Sequence, residues 1–127
     1  MFYGQGMASK RYAAVHAGSR IEGATPHALV KILFDELLFA MDAAILAETQ
    51  GDRIKVSDKF TRAMSILHAL EASLDFEKGG DIAVGLAQIY REARRLLLAG
   101  AKNRTTAETA KARTMIAEIA DAWTKIG

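Results

Sequence analysis

The chain has 127 residues, half of them hydrophobic and a quarter charged, with one proline and no cysteine, which suits a single domain around a single core. The lack of cysteine excludes disulfide stapling, thiolate nucleophiles and cysteine-ligated zinc, and suits a reducing compartment. Seventeen basic residues stand against fifteen acidic ones, for a net charge of +2. They are interspersed along the chain, which is not the footprint of a nucleic-acid binder.

Residues 1–24 carry no sustained hydrophobic period and are punctuated by Gly4, Gly6, Gly18 and Gly23. They read as an N-terminal arm with one short helix over Met7–Ala17, placed before a bundle spanning 25–127. The opening Met1-Phe2-Tyr3-Gly4-Gln5-Gly6 lacks a positive region followed by an apolar run, so no secretory leader is expected and the cytosol is the expected location. Thr25-Pro26 predicts a helix start, because threonine caps an orphan amide and proline tolerates the first helical position. This first helix is expected to run to Gln50 and to end at Gly51.

The second helix, from Arg53 or Ser57 to Phe76, places Phe60, Ala63, Met64, Leu67, Leu70 and Leu74 on one side. Lys78-Gly79-Gly80 predicts a break, with Asp81 capping a third helix to about Gly100 that carries Ile82, Leu86, Ile89, Tyr90, Ala93, Leu96 and Leu97. Thr105 and Glu108 have capping-box spacing, and the fourth helix places Ala112, Met115, Ile116, Ile119, Trp123 and Ile126 on one stripe. Strand signals are scarce, so the expected class is all-α. Short connections make successive helices antiparallel neighbours, giving an up-down four-helix bundle.

The stretch Ala28–Ala47 is the most apolar, but Lys31, Asp35, Glu36 and Asp42 interrupt it, so no transmembrane span is expected. At about 100° per residue, the polar strip of this helix is narrow and apolar residues cover most of the remaining circumference. A bundle helix buries a face little wider than 100°. Either this helix is central, or something further covers it: the arm, or a partner's amphipathic segment seated in a groove. Glu36 projects into the apolar arc, where it needs an arginine, a lysine or a partner's donor.

His16, His27 and His68 are isolated from one another and have no metal-binding spacing. Asp35 and Glu36 point about 100° apart, so they do not form a shared acid/base site. Gly79-Gly80-Asp81 lacks the lysine-serine of a phosphate loop. The basic run from Arg91 to Arg113 is interrupted by Glu92 and Glu108 and reads as a solvated face. No enzyme activity, cofactor, metal or nucleic-acid partner is expected.

Ser73-Leu74-Asp75-Phe76-Glu77-Lys78-Gly79-Gly80-Asp81-Ile82-Ala83, followed by Leu86 and Ile89-Tyr90, resembles the most recognisable segment of the flagellar secretion chaperone (FliS) family. Tyr12, Thr25-Pro26, Leu29, Ile32-Leu33-Phe34-Asp35, Arg95-Leu96, Ala99 and Ala122-Trp123 join it in the right order, so the likeness covers almost the whole chain. The resemblance implies a small cytosolic helical bundle that binds the disordered C-terminal segment of flagellin, prevents its polymerisation and delivers it to the flagellar export apparatus. It also implies apolar client grooves that the N-terminal arm can cover. Carried over position by position, it places Tyr12 in the arm, Leu29, Leu33, Phe34 and Leu37 on the first helix, and Ile82, Leu86 and Tyr90 on the third, as client-binding residues. Gly79-Gly80 and Trp123 read instead as a turn and a core anchor.

The chain departs from the family pattern at Phe34-Asp35-Glu36, where tyrosine, aspartate and glycine are common, and at Met1-Phe2-Tyr3, where Asn-Pro-Tyr is. It departs also at Gly85, commonly asparagine, where a mid-helix glycine is expected to mark the close approach of another backbone. The competing readings are a self-associating structural bundle and an adaptor for other flagellar proteins. Concentration-dependent mass without any client would favour self-association.

Overall fold

The computed structural model describes Gly23 and residues 25–126. Four helices follow one another: α1 (Pro26–Gln50), α2 (Arg53–Ala72), α3 (Phe76–Asn103) and α4 (Ala107–Thr124). No strand occurs among the described residues. The expected short helix over Met7–Ala17, and Tyr12 with it, lie outside the described residues.

The start of α1 is set locally. The Thr25 hydroxyl accepts the Ala28 amide at 3.1 Å, with Pro26 at the first helical position, which relieves one orphan donor and needs none from proline. Its end is local too: Gly51 adopts φ 72°, ψ 20° and returns its amide to the last turn, the left-handed cap that glycine reaches without steric cost. One residue on, the Asp52 carboxylate accepts the Lys55 amide at 3.0 Å and opens α2.

The next connection differs from the expected one. α2 stops at Ala72 rather than Phe76, and Ser73-Leu74-Asp75 forms the turn. The cause is Asp75, whose carboxylate accepts the Lys78 amide at 3.0 Å and nucleates a helical turn ahead of the glycines. The expected break is present, but inside α3: Gly80 has φ 50°, ψ −127° and kinks the helix there. At its far end α3 continues past Gly100 to Asn103 and is closed by Arg104 in the left-handed region. The expected capping box does not form, because the Thr105 amide donates instead to the Gly100 carbonyl at 3.1 Å. Thr106 is the cap residue and its side chain makes no capping bond, while the Thr105 hydroxyl bonds the Glu108 carboxylate and holds that acid below its ordinary range. α4 ends at Thr124, short of Ile126.

α1 packs against α2 and α4, α2 against α3, and α3 against α4, which closes an up-down-up-down four-helix bundle. The core between them is filled by Phe34, Leu37 and Met41 from α1, Leu67 and Leu70 from α2, Tyr90 and Leu97 from α3, and Ile116 from α4. Each large side chain so buried contributes about 1.5–3 kcal/mol of transfer free energy. α1 is therefore not a central helix, since it has two main neighbours like the others. Its surplus apolar surface stays outside, with Phe39 66% and Leu46 58% exposed. Glu36 meets the requirement that its position imposes by facing Arg62 of α2 at 3.9 Å.

Candidate functional site: an apolar cleft at one end of the bundle

The start of α1, the end of α2, the start of α3 and the end of α4 meet at one end of the bundle, and a cleft of about 320 Å³ opens among them. Val30 of α1, Leu70 and Leu74 at the end of α2, Ile82, Leu86 and Tyr90 of α3 and Trp123 of α4 form its walls and floor. Asp75 and Lys78 are its charged lining residues, both exposed at the rim. The chemistry on offer is the burial of apolar side chains. Among the described residues no cluster of three histidine or acidic side chains gathers that could hold a metal ion.

Two arrangements hold the cleft open. Trp123 stacks on His27, with ring centroids 4.6 Å apart and planes 11° from parallel, and meets the edge of Phe34 at 6.3 Å. Its indole N–H donates to the His27 carbonyl at 3.0 Å, so the last turn of α4 is tied to the first turn of α1. Across the bundle, the Glu71 carboxylate accepts from Arg94 at 2.6 Å and from Arg91 at 2.9 Å. That pairing fixes the spacing of α2 and α3, and the Arg94 hydrogen bond foremost holds the Glu71 carboxyl below its ordinary value. Tyr90 is 2% exposed, and burial pushes its phenol up to about 12.

The kink at Gly80 shapes the rim. Its φ and ψ lie in a region that a side chain bearing Cβ reaches only under strain. The residue before it, Gly79, is pressed against α3 itself, since a Cβ there would stand 2.8 Å from the Ala83 Cβ. The glycine pair thus folds the turn Phe76–Gly79 over one side of the cleft.

Of the residues that the resemblance singles out, the structure brings Ile82, Leu86 and Tyr90 together in the cleft. Ile82 is 75% exposed, Leu86 is half-buried and Tyr90 forms floor. Leu29 and Leu33 are half-buried on α1 and do not line the cleft. Phe34 and Leu37 are in the core, at 1% and 0% exposure. Val30, Leu70, Leu74 and Trp123 complete the cleft without having been assigned to it from the sequence. The step from Leu70 to Leu74 across the helix end was the available signal, because a core stripe that continues past the last turn has no partner helix left to cover it.

This cleft is built from the Ser73–Tyr90 segment that carries the strongest family likeness, and a family model for the flagellar protein FliS matches residues 8–127. The chain belongs to the FliS family. A flagellar secretion chaperone FliS of Salmonella typhimurium is 37% identical over 119 residues, which cover 92% of this chain and 87% of that protein. The Escherichia coli FliS is 29% identical over 117 residues, covering 91% and 85%. The Vibrio cholerae FliS is 30% identical over 79 residues, covering 62% and 58%. Membership of the FliS family places the chain among chaperones of flagellar protein export. Among the described residues, no helix is long and apolar enough to cross a membrane.

Proposed function

We propose that this bundle is a cytosolic, non-enzymatic export chaperone that binds the disordered C-terminal segment of flagellin, keeps it from polymerising and hands it to the flagellar export apparatus. The observation that carries the reading is the apolar cleft between Ile82, Leu86, Tyr90 and Trp123, left without an occupant from the four helices that build it. Apolar anchors of a client, spaced along an amphipathic segment, fit such a cleft. The arm, residues 1–24 with Tyr12, would cover this end of the bundle until the client displaces it. Leu29 and Leu33 would extend the contact along α1, with Phe34 and Leu37 supporting the groove from within.

The mechanism is coupled folding and binding. A client that is disordered when free spends part of its interaction free energy on ordering, which keeps recognition specific and release feasible. Titration of the full chain with a peptide from the C-terminal region of its own organism's flagellin tests this, with heat, far-ultraviolet dichroism and Trp123 fluorescence followed together. Saturable binding with a gain of helix and a changed indole signal is expected. Absence of binding, or binding with an unchanged Trp123 signal, refutes the cleft as the client site.

A further inference from the structure

Ser73, Asp75, Lys78, Tyr90 and Trp123 bring polar side-chain atoms to the lining of the otherwise apolar cleft. Most of these atoms are engaged within the protein. The Trp123 indole N–H donates to the His27 carbonyl at 3.0 Å, the Ser73 hydroxyl donates to the Leu70 carbonyl at 2.8 Å, and the Asp75 carboxylate accepts the Lys78 amide at 3.0 Å. The Lys78 side chain is exposed at the rim.

Tyr90 differs from all of them. It is 2% exposed at the floor of the cleft, yet its hydroxyl has no hydrogen-bond partner among the described residues, and burial alone shifts its titration. The oxygen is not sealed in the core either, since the sealed and unpaired side-chain polar atom among the described residues is Nη1 of Arg94. The hydroxyl therefore meets the open volume of the cleft that its ring lines.

That placement sets a condition on the occupant. Open to solvent, such a hydroxyl bonds water, but an anchor that fills the cleft with carbon alone leaves a buried O–H without a partner, and the loss offsets part of the gain from apolar burial. An aliphatic stem with a hydrogen-bonding tip avoids that loss. The tip has to be neutral. The phenol, pushed up to about 12, is uncharged at physiological pH, and the charged lining residues Asp75 and Lys78 stand at the rim, so a carboxylate or ammonium at this depth would be desolvated without a counter-charge. Main-chain carbonyls of a client that orders as a helix are already bonded within it, which leaves a side chain to supply the acceptor.

We propose that Tyr90 is a specificity-determining residue of the cleft, its hydroxyl donating to the side-chain amide carbonyl of a client glutamine. The glutamine stem would pack among the apolar walls, with its amide nitrogen facing the open mouth. This inference rests on the reading of the cleft as the client site.

The test titrates the flagellin C-terminal peptide into the full chain and into Tyr90→Phe, first unaltered and then with each of its glutamines replaced in turn by leucine. Tyr90→Phe is expected to keep the parent's helicity and urea midpoint, because the hydroxyl holds nothing within the chain. It is expected to bind the unaltered peptide about tenfold more weakly, through loss of one buried hydrogen bond. One glutamine replacement should weaken binding to the parent by about the same tenfold and binding to Tyr90→Phe no further, the coupling that a shared bond produces. Ile82→Ser should weaken the unaltered and the leucine-bearing peptides by the same factor. The proposal is overturned if Tyr90→Phe binds the unaltered peptide as tightly as the parent does, or if no glutamine replacement couples to it. In both cases the parent still binds, and the reading of the cleft as the client site survives. A lower urea midpoint of Tyr90→Phe without peptide also overturns it, by giving the hydroxyl a partner inside the chain. A parent that binds no peptide overturns both readings.

Discussion

Replacing Gly80 and Gly85 by alanine, one at a time, should have opposite effects although the two sites lie five residues apart in the same helix. Gly80 has φ 50°, ψ −127°, and a residue with a Cβ held in such a region costs about 1–3 kcal/mol. Among the described residues nothing stands within 4 Å of the Cβ that alanine would add, so the penalty is backbone strain. Gly85 sits in regular helix, and among the described residues its added Cβ also meets open space. The expectation that this glycine marks a close backbone approach is therefore corrected, and Gly85→Ala should stabilise by about 1 kcal/mol through helix propensity alone. The two variants should then differ by about 2–4 kcal/mol, obtained by combining these two effects. With a urea dependence of about 1–3 kcal/mol per molar, midpoints on either side of the parent, separated by about 1–2 M, are expected in dichroism-monitored unfolding. Because the turn before Gly80 forms one side of the cleft, Gly80→Ala should also weaken the flagellin peptide. Equal stability of the two variants, or shifts of the same sign, would refute the argument that the kink needs glycine.

Phe34→Ala should destabilise the bundle by about 3–5 kcal/mol, since it empties a fully buried ring site. Ile82→Ser should stay within about 0.5 kcal/mol of the parent, as exposed substitutions do, while weakening the flagellin peptide. The pair, read by urea unfolding and peptide titration, separates support from contact, and an Ile82→Ser variant that binds as tightly as the parent would remove Ile82 from the site. The Glu71 carboxyl is held below its ordinary value of 4.5, first by the Arg94 hydrogen bond. Its contribution is therefore complete above the unfolded value and is lost as pH falls through the lower folded one. Glu71→Gln should flatten the stability profile on the acid side of pH 4.5, and an unchanged acid limb in chemical unfolding would count against the pairing.

The helix count, the all-α class and the antiparallel order were legible because capping and periodicity are local. Thr25-Pro26, Gly51 and the apolar stripes of α2 to α4 each act through neighbours within a turn or two. The misplaced boundary at Phe76 was local as well. Asp75 had the capping chemistry, but the glycine pair after it gave the louder signal of a break, and the structure uses both, a cap at Asp75 and a kink at Gly80.

What the sequence by itself determined, then, was that α1 carries more apolar surface than a bundle helix can bury. Which of its side chains would be left over was decided only by packing. Phe34 and Phe39 are the same residue type five positions apart on one helix, and one is 1% exposed while the other is 66% exposed. The difference depends on where α2 and α4 cross α1, a relation between residues as distant as His27 and Trp123 that no local pattern encodes. The cleft arises in the same way, since four helix ends contribute to it and none of them is unusual alone. Periodicity tells which side of a helix is apolar; only the neighbours' positions tell how much of that side remains free to bind something else.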